Sequence, residues 1–280
     1  MDLTTAAGYA TLAGRQHLQF TNVSIVGTLI VPSGTVIRAT GDVNISGTLI
    51  VAPSAEDNGT GPAEAGVARA AAGEPQGGRG QFALQAAQLL RPGNQGGGAG
   101  AKQAGVAGGE GGGSLVILAQ GAITIPVAGA INANGVTGGS ASNLPGSGGG
   151  AGGVVVLAGK GAITVGGNVR AVGGNGGAGN NAGGAGKGGG GGGGGGIVHL
   201  LSSNAPNVTG GILVGAGSAG VTANPTGASQ AITAGGGGGA CGGNGGSGGG
   251  GTLAVPQPSE AGAAGYDLRT VTPTPENVFL

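Results

Sequence analysis

The hydrophobic positions of this chain fall into short alternating runs, and the runs recur. From Phe20 the sequence reads FTNVSIVGTLIVPSGTVIRATGDVNISGTLIVAP, with Val, Ile or Leu on many alternate positions and mostly small polar residues between them. That alternation predicts strands with one face in a core and one in water. The run GTLIV begins at Gly27 and again at Gly47, a spacing that suits one turn of a β-solenoid. The same unit returns beyond residue 110. GGGSLVILAQGAITIPVAGAINANG, from Gly111, comes back 39 residues later as GAGGVVVLAGKGAITVGGNVRAVGG, from Gly150. A third copy follows the nine glycines Gly188 to Gly196 as IVHLLSSNAPNVTGGILVGAG, and GGGGTLAV, near Gly248, reads as the start of a fourth. An internal period of this size, built on short apolar strands, is the pattern of a stacked, solenoid-like architecture.

Where the pattern lapses it divides the chain. Residues 1–19 read as an N-terminal arm, 20–53 as a β-repeat segment, and 54–109 as a lateral insertion. Within that insertion FALQAAQLLRPG gives a short helix ended by Pro92 and Gly93, with a strand over Gln81 to Gln85 as the competing reading. Residues 110–256 form the glycine-rich repeat domain. From 257 to 280 the repeat is lost and prolines accumulate, which predicts an extended tail lying on a neighbouring chain.

Composition changes the picture in one respect. Of 280 residues 77 are Gly and 13 are Pro, a proportion that in an aperiodic chain would mean disorder. Here the aliphatic residues keep register with the repeat, so the glycine must serve a packed structure. Ordering glycine is costly in entropy, and two uses would repay it. The runs could form tight corners at positive φ. Alternatively they could lie as extended threefold helices so close together that each backbone bonds to its neighbours, which requires several runs side by side. Both uses remain open at the level of sequence.

Charge and chemistry mostly exclude. Ten basic and ten acidic residues leave no net charge and no footprint for nucleic acid or anionic lipid. The first twenty residues lack the basic and apolar regions of a signal peptide, and no run is long enough for membrane insertion. Between Glu110 and Glu260 there is no Asp or Glu, so the repeats offer neither a glycosidase carboxylate pair nor calcium-binding acids. Lys160, Arg170, Lys187 and His199 are, with Cys241, the ionisable side chains of that stretch. Lys160 and Arg170 read as solvated surface charges, and His199 as a structural residue at a strand edge. Asp42, Glu56, Asp57, Glu64 and Glu74 read as solvated loop acids. A phosphate loop would need Ser or Thr after Gly159-Lys160 or Gly186-Lys187, and Gly follows both. No catalytic, cofactor-binding or metal-binding residue is assigned and no cofactor is expected. The rings Tyr9, Phe20, Tyr266 and Phe279, with the terminal Leu280, lie toward the ends of the chain, where they would anchor it to copies of itself or to other proteins.

GGGAGGVVVLA, Gly148 to Ala158, followed by units of the form G-x-[IV]-x-A-x-G, resembles the glycine-rich repeats of bacterial and bacteriophage surface β-helix proteins. The long glycine runs are similar to the polyglycine sandwich of some phage tail-fibre adhesins. GGNGGAGNNAGGAGKGG is similar to the repeats of mycobacterial surface proteins, whose helical N-terminal domain has no counterpart here. The resemblance covers about Asn94 to Pro256 and its motifs are compositional. It implies a virion-borne or extracellular, commonly oligomeric protein of structural or adhesive role. The expectation is therefore an all-β, glycine-rich β-solenoid with little α-helix, its glycine runs forming either packed polyglycine II helices or loops. It would be a structural element of a phage virion, as capsid decoration, fibre or tail component. Its partners would be copies of itself, a trimer favoured, and other virion proteins. A receptor-binding adhesin or a bacterial cell-surface filament is the competing expectation.

Overall fold

The structure is a computed structural model and describes residues 1, 7–8, 17–53, 96–103, 105–275 and 277. The short helix read around Phe82 to Leu90 and the acids at Glu56, Asp57, Glu64 and Glu74 lie outside these residues.

The fold is nearly all β, with almost no helix. Strands come in successive passes of three. The first pass is β1 (His17–Phe20), β2 (Val23–Ile25) and β3 (Thr28–Val31). The second is β4 (Thr35–Ala39), β5 (Val43–Ile45) and β6 (Thr48–Val51). The third is β7 (Ser114–Ala119), β8 (Ile123–Ile125) and β9 (Ala130–Asn132), and the fourth is β10 (Val154–Gly159), β11 (Ile163–Val165) and β12 (Asn168–Arg170). After the two-residue β13 (Gly186–Lys187) comes a fifth pass, β14 (Ile197–Ser202), β15 (Asn207–Val208) and β16 (Gly211–Leu213). Then follow β17 (Ala231–Thr233), β18 (Gly250–Thr252), β19 (Pro256–Gln257) and a last long strand, β20 (Tyr266–Val271).

Each pass contributes one strand to each of three parallel sheets, with orders β1-β4-β7-β10-β14-β20, β2-β5-β8-β11-β15 and β3-β6-β9-β12-β16. This stacking is compatible with a β-solenoid. The segments read separately as 20–53 and 110–256 share all three sheets. Parallel register puts like residues in columns, so the core is a set of aliphatic ladders. Leu18, Ile37, Ile117, Leu157 and Leu200 form one. Leu29, Leu49, Ile131, Val169 and Ile212 form another. These residues belong to, or pack against, one continuous core.

The fourth repeat is placed differently from the sequence reading. GGGGTLAV does not start a long strand of the stack. Its Gly250–Thr252 lies in a small sheet ordered β13-β17-β18-β19, where β18 pairs antiparallel with both neighbours. The strand that continues the stack is Tyr266–Val271, in parallel register with β14 from Ile197↔Tyr266 to Ser202↔Val271. The small residues of EAGAAG precede it where earlier long strands have a glycine run, which is why the repeat was invisible there. Residues 266–271, read as part of a tail on a neighbouring chain, therefore pair with this chain's own sheet.

Glycine-rich segments leave the stack after the third strand of a pass and return before the next long strand. Their hydrogen bonds repeat every three residues, the period of an extended left-handed helix. Segment 187–196 is encircled. Its Gly188, Gly191 and Gly194 N–H groups donate to Thr233, Gly236 and Gly239; Gly190, Gly193 and Gly196 donate to Gly177, Gly174 and Ala171; Gly192 and Gly195 donate to Glu260 and Ala263. Its carbonyls accept from three further segments. Gly188, Gly191 and Gly194 accept from Gly146, Gly149 and Gly152; Gly189, Gly192 and Gly195 accept from Gly249, Gly246 and Gly243; Gly190 and Gly193 accept from Gly220 and Gly217. Segment 146–153 sits in a second ring that includes 96–101, 108–113 and 133–139.

Closeness, rather than turn geometry, explains the glycine. Among the described residues positive φ occurs only at Gly34, Gly105, Gly184, Gly251 and Asn143, all at or beside chain reversals. In the encircled run a Cβ on Gly192 would stand 2.0 Å from the Gly217 carbonyl oxygen, and one on Gly193 2.1 Å from that of Gly150. No side chain fits there without moving backbone.

Candidate functional site

The topology of the glycine segments places their turns on one edge, away from the strands. Segment 133–139 leaves β9 and bonds antiparallel to 146–153, which leads into β10, with Ser147, Gly150 and Gly153 N–H groups donating to Gly139, Val136 and Ala133. The connecting turn 140–145 must therefore lie at the far end. The same argument places 180–186, 222–233 and 250–258 there, with Lys102 and Gln103 on the turn between 96–101 and 108–113.

This distal edge carries side chains where the segments behind it carry almost none. Neighbouring turns are tied together by asparagine. Asn180 Oδ1 accepts from the Asn143 N–H at 3.3 Å, Asn143 Oδ1 accepts from the Gly183 N–H at 3.2 Å, and the Asn181 amide donates to the Asn224 carbonyl. Asn143 adopts φ 58°, a conformation that asparagine tolerates better than most residues. Aliphatic side chains stand out nearby: Val221 is 73% exposed, Leu253 43% and Val255 69%. Lys102 and Lys187 are the cationic side chains of the described part of this edge.

One broad side of the array is finished by polar side chains that stand in for missing neighbours. Asn134 Oδ1 accepts from the Val172 N–H at 2.8 Å, Ser140 Oγ from Ala178 at 2.7 Å, and Asn175 Oδ1 from Ser218 at 2.9 Å. Each side chain supplies the acceptor that an additional glycine segment would otherwise have provided.

The anchors read from sequence do not converge. Phe20, on β1, and Tyr266, on β20, are each 43% exposed and stand on strands at opposite ends of the six-stranded sheet. Tyr9, Phe279 and Leu280 lie outside the described residues. A groove of about 430 Å³ runs over the first long strands, lined by Gln19, Phe20, Arg38, Leu118, Lys160 and Pro275 among others. Pro275 is buried, so the segment after β20 folds back over this chain's own sheet.

His199 is not at an edge. It lies in β14, between β10 and β20, with its ring on the side away from the main core. Nε2 is 2.8 Å from Thr270 Oγ1, while Nδ1 is buried without a partner. Desolvation lowers its pKa to about 4, so the ring is neutral at pH 7 and ties β14 to β20. Cys241 is buried against Ile197 and Ala151 where the glycine array meets the sheet. Burial pushes its thiol up to about 12, which removes thiolate chemistry. Lys160 and Arg170 are exposed. Asp42 Oδ1 accepts the Ala122 N–H at 2.8 Å and joins two successive passes at a corner. Among the described residues no group of three or more His, Cys, Asp or Glu side chains could hold a metal ion, and no helix is long and apolar enough to cross a membrane.

Reasoning from sequence passed over the distal edge because it looked for rings and charges. The available signal was the recurrence of SASNLP, NNAGGAGK, TANPTGASQ and TLAVPQP, which interrupt glycine runs at corresponding places in successive repeats. Comparisons of the chain with protein-family models, with curated proteins and with solved structures return no match.

Proposed function

We propose that this chain is a non-enzymatic structural protein of a phage virion, a glycine-rich β-solenoid braced by polyglycine II helices and used as a capsid decoration, fibre or tail-associated building block. The encirclement of segment 187–196 by six bonded neighbours carries this reading. A bundle whose interior is backbone against backbone gains nothing as a catalyst; it gives a stiff, neutral body with few sites for protease entry. The location follows the resemblance of the glycine repeats to phage and bacterial surface proteins. Docking to other virion proteins would use apolar burial and backbone hydrogen bonds rather than charge. Such contacts should survive roughly 1 M NaCl, which screens exposed charges within a few ångströms. The test is to wash purified particles from a producing strain at that ionic strength and search them for the chain by mass spectrometry. Absence from the particles, or release by salt, would count against the proposal.

A second reading, a receptor-binding adhesin, is favoured by the distal edge, where exposed Val221, Leu253 and Val255 accompany the asparagine-linked turns. It calls for binding of isolated protein to cells and loss of that binding when turns 140–145, 180–186 and 250–258 are exchanged for glycine-serine sequence. The decoration reading calls for neither.

A further inference from the structure

The two ends of the strand stack are chemically unlike. At the first pass every core-facing position is apolar: Leu18 and Phe20 on β1, Val23 and Ile25 on β2, Leu29 and Val31 on β3. Phe20 is 43% exposed there, and Leu18, Val23 and Leu29 are only half-buried. In the strand orders β1, β2 and β3 are all terminal, with Met1 bonded to the outer edge of β3 through Thr28 and Ile30.

At the other end two core ladders of the six-stranded sheet finish on charge, while its third finishes on exposed Val271 and the ladders of the two five-stranded sheets finish on half-buried Val208 and Ile212. The column Leu18, Ile37, Ile117, Leu157, Leu200 ends in Arg269, and the column Thr35, Leu115, Val155, Val198 ends in Asp267. Both charged residues occupy positions in register with core-facing Val198 and Leu200. They pair on β20 itself, Arg269 Nε and Nη2 donating to Asp267 Oδ1 and Oδ2 at 3.2 and 2.7 Å, and both remain partly solvated.

We infer that the Asp267–Arg269 pair is a stop that keeps copies of this chain from joining end to end. A parallel stack with apolar faces at both ends is a template for its own extension. Strand β1 of one copy would continue the six-stranded ladder of the next, a heterologous contact that does not close and so grows into filaments. With charge at one end that junction would have to seal an ion pair between apolar layers, where lost hydration outweighs the attraction between the charges. The six-stranded sheet is consequently one-ended, with apolar β1 at its start and charged β20 at its end. This inference goes beyond the proposed function and rests on strand register, exposure and the ion pair on β20.

The experiment uses the full chain with Asp267→Val and Arg269→Leu together, read by light scattering over a concentration series and by negative-stain microscopy. The unaltered protein should show no end-to-end rods, whereas the double variant should gain mass several-fold with concentration and form rods. Adding Phe20→Asp to the double variant should abolish the rods, because it places charge at the other side of the junction. The exchange Asp267→Arg with Arg269→Asp keeps the charge and should behave as the unaltered protein. A folded double variant whose mass does not change with concentration would overturn the inference, as would rods from the unaltered protein or rods that persist with Phe20→Asp. Should Val and Leu prevent folding, Asp267→Ala with Arg269→Ala removes the charge with smaller side chains and is read against the same outcomes.

Discussion

In the strand stack, side chains alternate in and out, and Ile, Leu and Val fill the space between three sheets. In the glycine array the space between segments is filled by neighbouring backbone. The first region buys its stability mainly from apolar burial, at about 25 cal/mol per Å². The second has little apolar surface to bury. Its order must come from hydrogen bonds whose net worth is about 0.5–1.5 kcal/mol each, against backbone entropy of roughly 1–2 kcal/mol per residue. Such an array holds only as a whole, fastened at one side to the stack through contacts such as Cys241 and Ala151 on Ile197. The stack should therefore tolerate local damage that the array cannot.

Substitution at the centre of the array gives the largest expected effect. Gly192→Ala puts a Cβ 2.0 Å from the Gly217 carbonyl oxygen, with only backbone around it to yield. We expect a loss of about 4 kcal/mol or more, or failure to fold, read by thermal melting. A melting temperature equal to that of the parent would break the comparison. Leu157→Ala, at a fully buried position of the stack, should cost about 2–5 kcal/mol and leave a folded protein. Retention of the cooperative melt, measured by circular dichroism, separates the two regions.

The His199 effect is smaller and depends on pH. Its folded pKa, about 4, lies below the unfolded value near 6.5. The unfolded chain thus takes up a proton that the folded chain refuses, and stability falls as pH drops from about 6.5 to 4, levelling below that. The loss is at most about 3 kcal/mol on the scale of 1.36 kcal/mol per pKa unit. His199→Leu should flatten this dependence in denaturant titrations at a series of pH values; an unchanged slope would show that the ring is not the source. Asn175→Ala removes the acceptor for the Ser218 N–H at an exposed side of the array and should cost about 0.5–1 kcal/mol by chemical denaturation. Last comes Gly215→Ala, on the same array but with nothing within 4 Å of the added Cβ, expected to shift stability by no more than about 0.5 kcal/mol. The contrast between Gly192 and Gly215, two glycines in one composition, measures how much of the effect is closeness alone.

The stack was largely legible in the sequence because its information is carried by side chains. GTLIV at Gly27 and Gly47 fixed a spacing that the register Thr28↔Thr48 reproduces. Ile123-Thr124-Ile125 aligned with Ile163-Thr164-Val165 as the strands do. Glycine carries no such label, so the sequence could say that segments pack but not which segment lies beside which. The ring around 187–196 draws neighbours from residues as far apart as 146 and 263, and only the hydrogen bonds of the folded chain order them. Asp267 and Arg269 look like ordinary solvated residues until the register sets them against Val198 and Leu200. The distal edge was hidden for the same reason as the ring, since its turns become neighbours only through the glycine segments that carry them.

The threefold repeat of the array also acts on how the chain can change length. Each glycine segment sends successive residues toward different neighbours, returning to the same one every third residue. Lengthening a segment and its antiparallel companion by a triplet moves the distal turn outward by about 9 Å, from a rise of 3.1 Å per residue, and leaves every hydrogen-bonding row in phase. Adding one or two residues rotates all later donors away from their acceptors. Viable insertions and deletions in the glycine legs should then come in multiples of three amino acids, while the turns accept any number. The array behaves as a comb whose teeth lengthen only in fixed steps.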